Sequence, residues 1–281
     1  MLRERALSYL VTERFPVFWC PGCGNGVILG SIARTLARLG LERHQVVVVT
    51  GIGCWGKADD YLDTNAIHGT HGRALAIATG IKVARPELTV LALMGDGDCA
   101  TIGGNHLIHA ARRNVGVVAV VSNNFNYGMT GGQYSATSPP GATTSTSPYG
   151  NPERNFDLCA LAEAAGANYV ARASVYHVRL LDRLLMEAFS HPGFCLVEVL
   201  STCPVYFGRY NRLGGPAEVM RWLASVCVPR ERYETLVAQD REGKFPIGKL
   251  VERRRPPFSE RYATLQARAR QLVQQQPPPE R

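Results

Sequence analysis

The sequence predicts a doubly wound α/β domain with a mainly parallel sheet and a helical or irregular C-terminal extension. Strand-like and helix-like segments alternate between residues 24 and 200, which is the pattern of consecutive βαβ units. The stretch 89–124 contains one such unit: an apolar run, a Gly/Asp turn, a helix-compatible segment and a second apolar run that ends in asparagines. Such units join parallel strands. Both polar turns should therefore lie at the carboxyl edge of the sheet, where ligands of open α/β sheets bind.

Hydrophobic periodicity and turn residues assign the remaining elements in chain order. A short N-terminal lead is followed by a tight Cys-Pro-Gly-Cys knuckle. Helices are predicted at 25–39, 72–83, 100–113, 156–165 and 176–190. Strands are predicted at 45–50, 89–94, 115–121, 169–173 and 194–200.

Three segments are predicted along the chain: an α/β domain over 1–204, a C-terminal extension over 205–270, and a disordered tail over 271–281. The extension should consist of helices and connections from residue 211 and should pack on the domain or on a partner. The tail is rich in glutamine and proline, a composition typical of disorder. A loop over 134–154 is rich in Ser, Thr, Pro and Gly, and loops of that length tend to cover sites or contact partners.

Composition narrows the class of protein. The chain has 281 residues, 46% of them hydrophobic, and a net charge of +8. No stretch is apolar enough for a membrane helix, and the N-terminus does not resemble a secretory signal, so we expect a cytoplasmic protein without a membrane association. The basic residues are scattered and no nucleic-acid module is recognisable. An acidic protein partner or anionic substrates explain the positive charge instead.

The two polar turns of the 89–124 unit offer oxygen ligands. Asp96 offers a carboxylate and Asn124 an amide oxygen 28 residues later, which suits a Mg²⁺ ion shared with phosphates. Gly95 and Gly97 allow the backbone to approach a diphosphate closely. Gly-Asp-Gly followed at this spacing by Asn is similar to the fingerprint of thiamine-diphosphate enzymes. A tight acidic turn between strand and helix is the alternative for Gly-Asp-Gly alone.

Three further polar residues of this unit have competing interpretations. Asp98 follows the fingerprint and either contacts the cofactor or caps the following helix. His106 and His109 are three residues apart and could hold a metal. Packing of that helix face against a neighbour is the alternative that we favour.

Eight cysteines occur without a secretory signal and are therefore expected as reduced thiols. Cys99, Cys159, Cys195 and Cys227 lie in apolar or helical contexts and should be buried. The other four are the knuckle pair and the residues that follow the first and last strands: Cys20, Cys23, Cys54 and Cys203. They should meet at the carboxyl edge beside Asp96, where four thiolates could hold an iron–sulfur cluster or zinc, or remain unligated.

Several phrases together resemble one family in order and spacing. They are CPGCGNG, GIGC, HGTHGRALAIATGIKVARP, GDGDCATIGGNHLIHAARRN, NNFNYGMTGGQYSATSPPG and GKFPIGKLVERRRPPFSERY. The chain resembles, over roughly residues 15–255, the β subunit of 2-oxoacid:ferredoxin oxidoreductases. The MTGGQ form and the last phrase are most similar to the 2-oxoglutarate branch. The WGKADDY segment after GIGC departs from the family pattern at Trp55 and Lys57, which puts the substrate and coenzyme A contacts in question.

The resemblance implies thiamine diphosphate, Mg²⁺ and a [4Fe–4S] cluster as cofactors, with coenzyme A as co-substrate. It places the cluster on Cys20, Cys23, Cys54 and Cys203, and Mg²⁺ on Asp96, Asn124 and the main chain of Asn126. It implies a catalytic part for His71 and Asn124, with a hydrogen-bonded structural His71 as the alternative. It implies cofactor contacts by Gly53, His71, Gly72, Gly95, Asp96, Gly97, Asp98, Asn124, Asn126, Gly128, Met129 and Thr130.

The resemblance also implies a reaction and partners. A 2-oxo acid would be oxidatively decarboxylated to acyl-CoA and CO2 with electrons passed to ferredoxin, or the reaction would run in reverse as reductive carboxylation. The family places the carboxylate that activates the cofactor on an α subunit, so the chain should act in a heterodimer or a dimer of heterodimers, with or without further small subunits. A non-oxidative thiamine-dependent decarboxylase and a zinc-stapled binding subunit are the alternatives.

Overall fold

The computed structural model describes residues 2–275 of the chain and shows an eight-stranded sheet with helices on both faces. The strands are β1 (Val46–Thr50), β2 (Asn65–His68), β3 (Thr89–Gly95), β4 (Val117–Asn123), β5 (Tyr169–Ser174), β6 (Cys195–Leu200), β7 (Cys227–Pro229) and β8 (Phe245–Glu252). The α-helices are α1 (Leu2–Leu7), α2 (Asn25–Leu39), α3 (Ala74–Ala84), α4 (Gly104–Arg113), α5 (Leu158–Ala164), α6 (Val178–Ser190), α7 (Pro216–Val226), α8 (Arg230–Thr235), α9 (Ala238–Arg241) and α10 (Phe258–Gln274).

The strand order is β2-β1-β3-β4-β6-β5-β8-β7, and every pair is parallel except β5 with β8. The predicted doubly wound, mainly parallel α/β fold is therefore confirmed. Strand β1 illustrates why this sequence forms a central strand. Its four valines are buried, and they alternate between the two hydrophobic cores that lie on opposite faces of the sheet, as expected for a strand that helices cover on both sides.

The helices end where the backbone needs a special residue. Gly40 follows α2 with φ 65°, and Asn114 follows α4 with φ 56°, the left-handed conformation that commonly closes a helix. Helix α5 starts at an N-cap, where the Asp157 carboxylate accepts hydrogen bonds from the main-chain N–H groups of Cys159 and Ala160 at 3.0 and 3.1 Å.

Three strands were not predicted from the sequence: β2, β7 and β8. Strand β2 lies at the sheet edge and its residues are exposed, so it lacks the apolar pattern of a buried strand. Strand β8 pairs with β5 antiparallel and contributes Ile247 and Val251 to the cores. The expectation of only helices and connections after residue 211 is therefore wrong for 227–229 and 245–252.

Two boundaries also differ from the prediction. Residues 97–102 form a π-helical turn before α4 starts at Gly104, where one helix over 100–113 was expected. Helix α10 includes residues 271–274, which were expected in a disordered tail, and the rest of that tail, 276–281, lies outside the described residues. Within residues 2–275, no helix combines the length and apolarity needed to cross a membrane.

Candidate functional site

The candidate site is a cavity of about 170 Å³ at the carboxyl ends of β1, β3 and β4. These three strands are neighbours and parallel, so the turns that follow them converge. The cavity is lined by Ile52, Gly53, Cys54, Trp55, His71, Gly95, Asp96, Gly97, Asp98, Ser122, Asn124, Asn126, Tyr127, Gly128, Met129 and Thr130. All of the predicted cofactor contacts except Gly72 are in this set. Their convergence was expected, and their roles remain predictions.

Asp96 is the most enclosed carboxylate of the site. It is 1% exposed, and its Oδ2 accepts hydrogen bonds from Ser135 Oγ at 2.5 Å and Thr137 Oγ1 at 2.7 Å. Its Oδ1 accepts a longer one from the main-chain N–H of Asn124 at 3.4 Å. Burial outweighs these hydrogen bonds and raises the pKa of Asp96 to about 6. A cation beside this carboxylate would offset the cost of burial.

Ser135 and Thr137 were not predicted as site residues. They belong to the loop over 134–154, whose composition indicated only that it covers a site or contacts a partner. Ser138 of the same loop donates a hydrogen bond from Oγ to the main-chain oxygen of Phe125 at 2.5 Å. The start of the loop therefore packs onto the turn after β4, and its hydroxyl groups hold the Asp96 carboxylate in place. The signal available in the sequence was the run of hydroxyl residues after Gln133.

The turn after β4 presents two asparagines to the cavity. The Asn124 side-chain oxygen accepts a hydrogen bond from the main-chain N–H of Asn126 at 3.3 Å, and Asn126 Nδ2 donates to the main-chain oxygen of Asn124 at 2.9 Å. Phe125 between them has φ 64°, a strained conformation for a bulky residue. The turn is thus held in a shape that places the Asn124 N–H against Asp96 and both asparagines in the cavity lining.

Asp98 and His71 form a second polar pair in the cavity wall. Asp98 Oδ1 is 2.7 Å from His71 Nδ1 and accepts a hydrogen bond from the Gly72 N–H at 2.5 Å. Asp98 Oδ2 is buried and has no hydrogen-bond partner in the described part of the chain. Burial raises the pKa of Asp98, and the Gly72 N–H and His71 partly offset this effect. A side chain at Gly51 would collide with this carboxylate, since its Cβ would lie 2.0 Å from Oδ2.

The alternative that Asp98 caps a helix is wrong, because its side chain accepts no hydrogen bond from the N-terminus of α4. Its carboxylate instead reaches across to the segment before α3. His109 Nδ1 accepts a hydrogen bond from Arg112 Nε at 3.4 Å, and the His109 side chain is exposed. This contact ties His109 to its own helix and gives no support to a metal site with His106.

The four predicted cluster cysteines lie close enough to interact electrostatically. Burial, together with the neighbouring cysteines, raises the pKa of Cys23 to about 12 and that of Cys54 to about 11. Cys20 is exposed, whereas Cys23, Cys54 and Cys203 are half-buried. Cys54 borders the cavity, since a Cβ on Gly128 would lie 3.5 Å from its Sγ. The other four cysteines are buried, as predicted.

The spacing of these thiols is wider than one metal ion requires. Among the described residues, no three of the four sulfurs lie within 4.8 Å of one another. A tetrahedral zinc holds each sulfur at about 2.3 Å, so its ligand sulfurs lie roughly 3.8 Å apart. The four sulfurs as they stand therefore do not form the compact group that a single tetrahedral ion needs.

Of the two residues that depart from the family pattern after GIGC, one has a structural role. Trp55 is 2% exposed, and its Nε1 donates to the main-chain oxygen of Val120 at 3.2 Å. It thus anchors the turn after β1 against β4 while one part of it lines the cavity. Lys57 lies outside the cavity lining and forms an ion pair with Asp60 at 2.5 Å.

Comparisons with known proteins show what the chain is similar to. Residues 48–199 match the model of the thiamine pyrophosphate enzyme C-terminal TPP-binding domain. The 2-oxoglutarate synthase subunit KorB of Archaeoglobus fulgidus is 57% identical over 205 residues, which are 73% of this chain and 76% of that protein. The subunit of the same name from Methanothermobacter thermautotrophicus is 41% identical over 259 residues, which are 92% of this chain and 91% of that protein.

A solved structure shows the same architecture. It is 2-oxoglutarate:ferredoxin oxidoreductase from Magnetococcus marinus with 2-oxoglutarate, coenzyme A and succinyl-CoA bound. The TM-score is 0.84 at 32% sequence identity, and the match covers 97% of this chain and 96% of that chain. From the matched domain, the identity over most of the chain and the shared architecture, this chain belongs to the family of 2-oxoacid:ferredoxin oxidoreductase β subunits.

Proposed function

We propose that the chain is the thiamine-diphosphate and [4Fe–4S] subunit of an enzyme that oxidatively decarboxylates 2-oxoglutarate to acyl-CoA and CO2 and passes the electrons to ferredoxin. The reverse reaction, a reductive carboxylation, uses the same site. The observation that carries the proposal is the juxtaposition of two groups at one sheet edge. Asp96 and Asn124 line a cavity that Cys54 also lines, and Asn126 Oδ1 in the same lining lies 3.8 Å from Cys203 Sγ.

The residues of the cavity fit Mg²⁺ and a diphosphate. Asp96, Asn124 and the main-chain oxygen of Asn126 are hard oxygen ligands, the type that Mg²⁺ prefers. Asp96 is buried with a raised pKa, a cost that a bound cation removes. Gly95 and Gly97 line the same wall, and the open space at the Cβ position of Gly95 leaves room for close approach of a diphosphate, whereas the Tyr127 ring packs against Gly97.

When bound, thiamine diphosphate supplies the nucleophilic carbon and the electron sink that decarboxylation of a 2-oxo acid requires. The protein contributes orientation and proton placement. Asp98 Oδ1 lies 2.7 Å from His71 Nδ1, although the two groups are not aligned for a hydrogen bond in the described chain; a small rotation of the ring would align them and favour the tautomer with its proton on Nδ1. His71 Nε2 is then an acceptor that can take up and return a proton at the cavity wall.

The cysteine set supports an iron–sulfur cluster rather than zinc, because the sulfurs are too widely spaced for one tetrahedral ion. Cys20 is exposed while its three companions are half-buried. The cluster would thus border the cofactor cavity on one side and the protein surface on the other. This is the arrangement that a single-electron exit to ferredoxin needs.

Partners follow from what the cavity lacks. Its volume of about 170 Å³ is below the about 300–1,000 Å³ that is typical of sites for larger ligands, so an α subunit would complete it and supply the activating carboxylate. Coenzyme A is the acyl acceptor in this proposal. The net charge of +8 suits an acidic ferredoxin. A cytoplasmic location, without nucleic-acid or membrane partners, is part of the same proposal.

The test is anaerobic co-expression with the α subunit encoded by the same organism. We expect about four irons and four sulfides per β chain, bound thiamine diphosphate, and viologen reduction that requires both 2-oxoglutarate and coenzyme A. One zinc and no sulfide would contradict the cluster. Decarboxylation without any electron acceptor would favour the non-oxidative enzyme, and absence of thiamine diphosphate would favour a binding subunit.

A further inference from the structure

Asn25 occupies a position between the cofactor cavity and the cysteine group. It is the first residue of α2, two residues after Cys23, and is 1% exposed. Its main-chain N–H donates a hydrogen bond to the Cys23 sulfur, which partly offsets the rise in the pKa of that thiol. Its side-chain Oδ1 accepts a hydrogen bond from Ser122 Oγ at 2.8 Å, and Ser122 lines the cavity.

The side-chain amide nitrogen of Asn25 has no hydrogen-bond partner in the described chain. Nδ2 is buried and has no acceptor among the residues that the structure describes. A buried donor left unpaired costs roughly 1–3 kcal/mol, so such groups in folded proteins normally meet a ligand or an ordered water. Because Ser122 holds Oδ1, the amide cannot turn to pair Nδ2 elsewhere without losing that hydrogen bond.

A second unpaired group lies on the segment that carries Cys203. Ser201 is two residues before Cys203, and its Oγ is also buried without a partner in the described chain. The two segments touch, since a Cβ on Gly24 would lie 2.4 Å from Ser201 Oγ. Unpaired polar atoms thus occur near two of the cysteines on different parts of the chain. A shared ligand between these segments accounts for both.

We propose, on the basis of the function proposed above, that the Asn25 side-chain amide donates a hydrogen bond to a sulfur of the iron–sulfur cluster and raises its reduction potential. Hydrogen bonds to cluster sulfurs are among the factors that set the potential. A donor favours the reduced state because that state carries more negative charge on the sulfurs. In this proposal Asn25 adjusts the potential of the cluster and does not contact the substrate.

The direct test uses the assembled enzyme with Asn25→Ala. The midpoint potential of the cluster, measured by a redox titration followed by electron paramagnetic resonance, should become more negative than in the wild type. Ser201→Ala should shift it in the same direction. The matched control is Thr35→Ala in the same helix, because Thr35 is buried but its hydroxyl bonds only to the Ser31 main-chain oxygen. The control potential should not change.

A second measurement uses the wild-type enzyme, so it does not depend on whether a variant still binds the cluster. Wild-type enzyme labelled with ¹⁵N only at the asparagine side-chain amide should show a ¹⁵N coupling to the reduced cluster in pulsed paramagnetic resonance spectra, because this label excludes the Asn25 main-chain N–H that donates to the Cys23 sulfur. An unchanged potential in Asn25→Ala, or no coupling in the labelled wild type, would overturn the inference while leaving the proposed function intact. A wild-type enzyme with no cluster at all would overturn both.

Discussion

Two buried polar clusters on the same sheet differ in whether protein groups satisfy their hydrogen bonds and charges. In the cofactor cavity, Asp96 is buried with a raised pKa and Asp98 Oδ2 has no partner in the described chain. In the second cluster, at β5 and β6, Arg172 Nε pairs with Glu198 Oε2 at 2.6 Å, and Arg172 Nη2 pairs with Asp157. Asn123 Nδ2 donates to Glu198 Oε1 at 2.7 Å.

The difference indicates what each cluster is for. The Arg172 cluster contains its own counter-charges and hydrogen-bond partners, so it needs no ligand. The Asp96 cluster has two carboxylates and no Lys or Arg in the cavity lining, with only the His71 imidazole beside Asp98, so a bound cation would balance the charge that remains. Asp157, Cys159 and Glu198 meet the spacing of a metal site, but Arg172 already provides the positive charge there. Burial of acids thus indicates a ligand only where the protein does not provide the partner.

The largest expected effect tests the self-contained cluster. Glu198→Leu leaves the buried Arg172 without its buried counter-charge and should lower the free energy of unfolding by about 3–5 kcal/mol, as is typical when one partner of a buried ion pair is removed. Urea denaturation of the assembled enzyme measures this. Glu252→Gln, which removes a surface carboxylate paired with Lys249, should have little effect. Equal losses in the two variants would refute the distinction.

The next effect tests the unsatisfied cluster. Asp96→Ala should weaken retention of thiamine diphosphate and Mg²⁺ by at least about 100-fold, the upper end of the cost of altering groups that only support a metal ligand. The ligand-free protein should stay folded, because it loses a buried charge that has no counter-ion. Cofactor content after gel filtration and the melting temperature report the two properties. Normal cofactor retention would show that Asp96 does not hold the metal.

The pH dependence of the ligand-free protein gives a third test. The folded-state pKa of Asp96, about 6, lies above its ordinary value of 3.8. This group therefore destabilises the ligand-free fold as pH rises from about 4 to 6, by an amount on the order of 2–3 kcal/mol. The free energy of unfolding of Asp96→Asn should lack this component. The comparison of the two proteins at pH 4.5 and pH 7 isolates it, and parallel curves would contradict the raised pKa.

The smallest effect concerns the loop that supports Asp96. Thr137→Val removes the hydroxyl that donates to Asp96 Oδ2 and also to Asn123 Oδ1 at 3.1 Å. Metal affinity should fall by roughly 10-fold, measured by Mg²⁺ titration of cofactor binding. Thr143→Val is the control, because Thr143 bonds to the Asn211 side chain through its own main-chain N–H and oxygen. If both variants bind Mg²⁺ like the wild type, the loop does not support the site.

The sequence predicted the part of the site that depends on local pattern and topology. Runs such as Val46–Val49 indicate buried strands, and βαβ connections make strands parallel. Turns after neighbouring parallel strands must then meet at one edge, which is how Asp96 and Asn124 could be expected together. The cysteine after β1 was expected at the same edge by the same reasoning.

Only the tertiary structure decided which buried groups are paired. The hydroxyls of Ser135 and Thr137 reach Asp96 across about 40 residues of chain, and β8 reaches the sheet from beyond residue 240 to pair antiparallel with β5. The partner of Arg172 and the unpaired amide of Asn25 were equally hidden. The physical reason is that periodicity and turn chemistry report whether a residue is buried. They do not report which distant group satisfies its hydrogen bonds and charge, because that depends on how the segments pack in space.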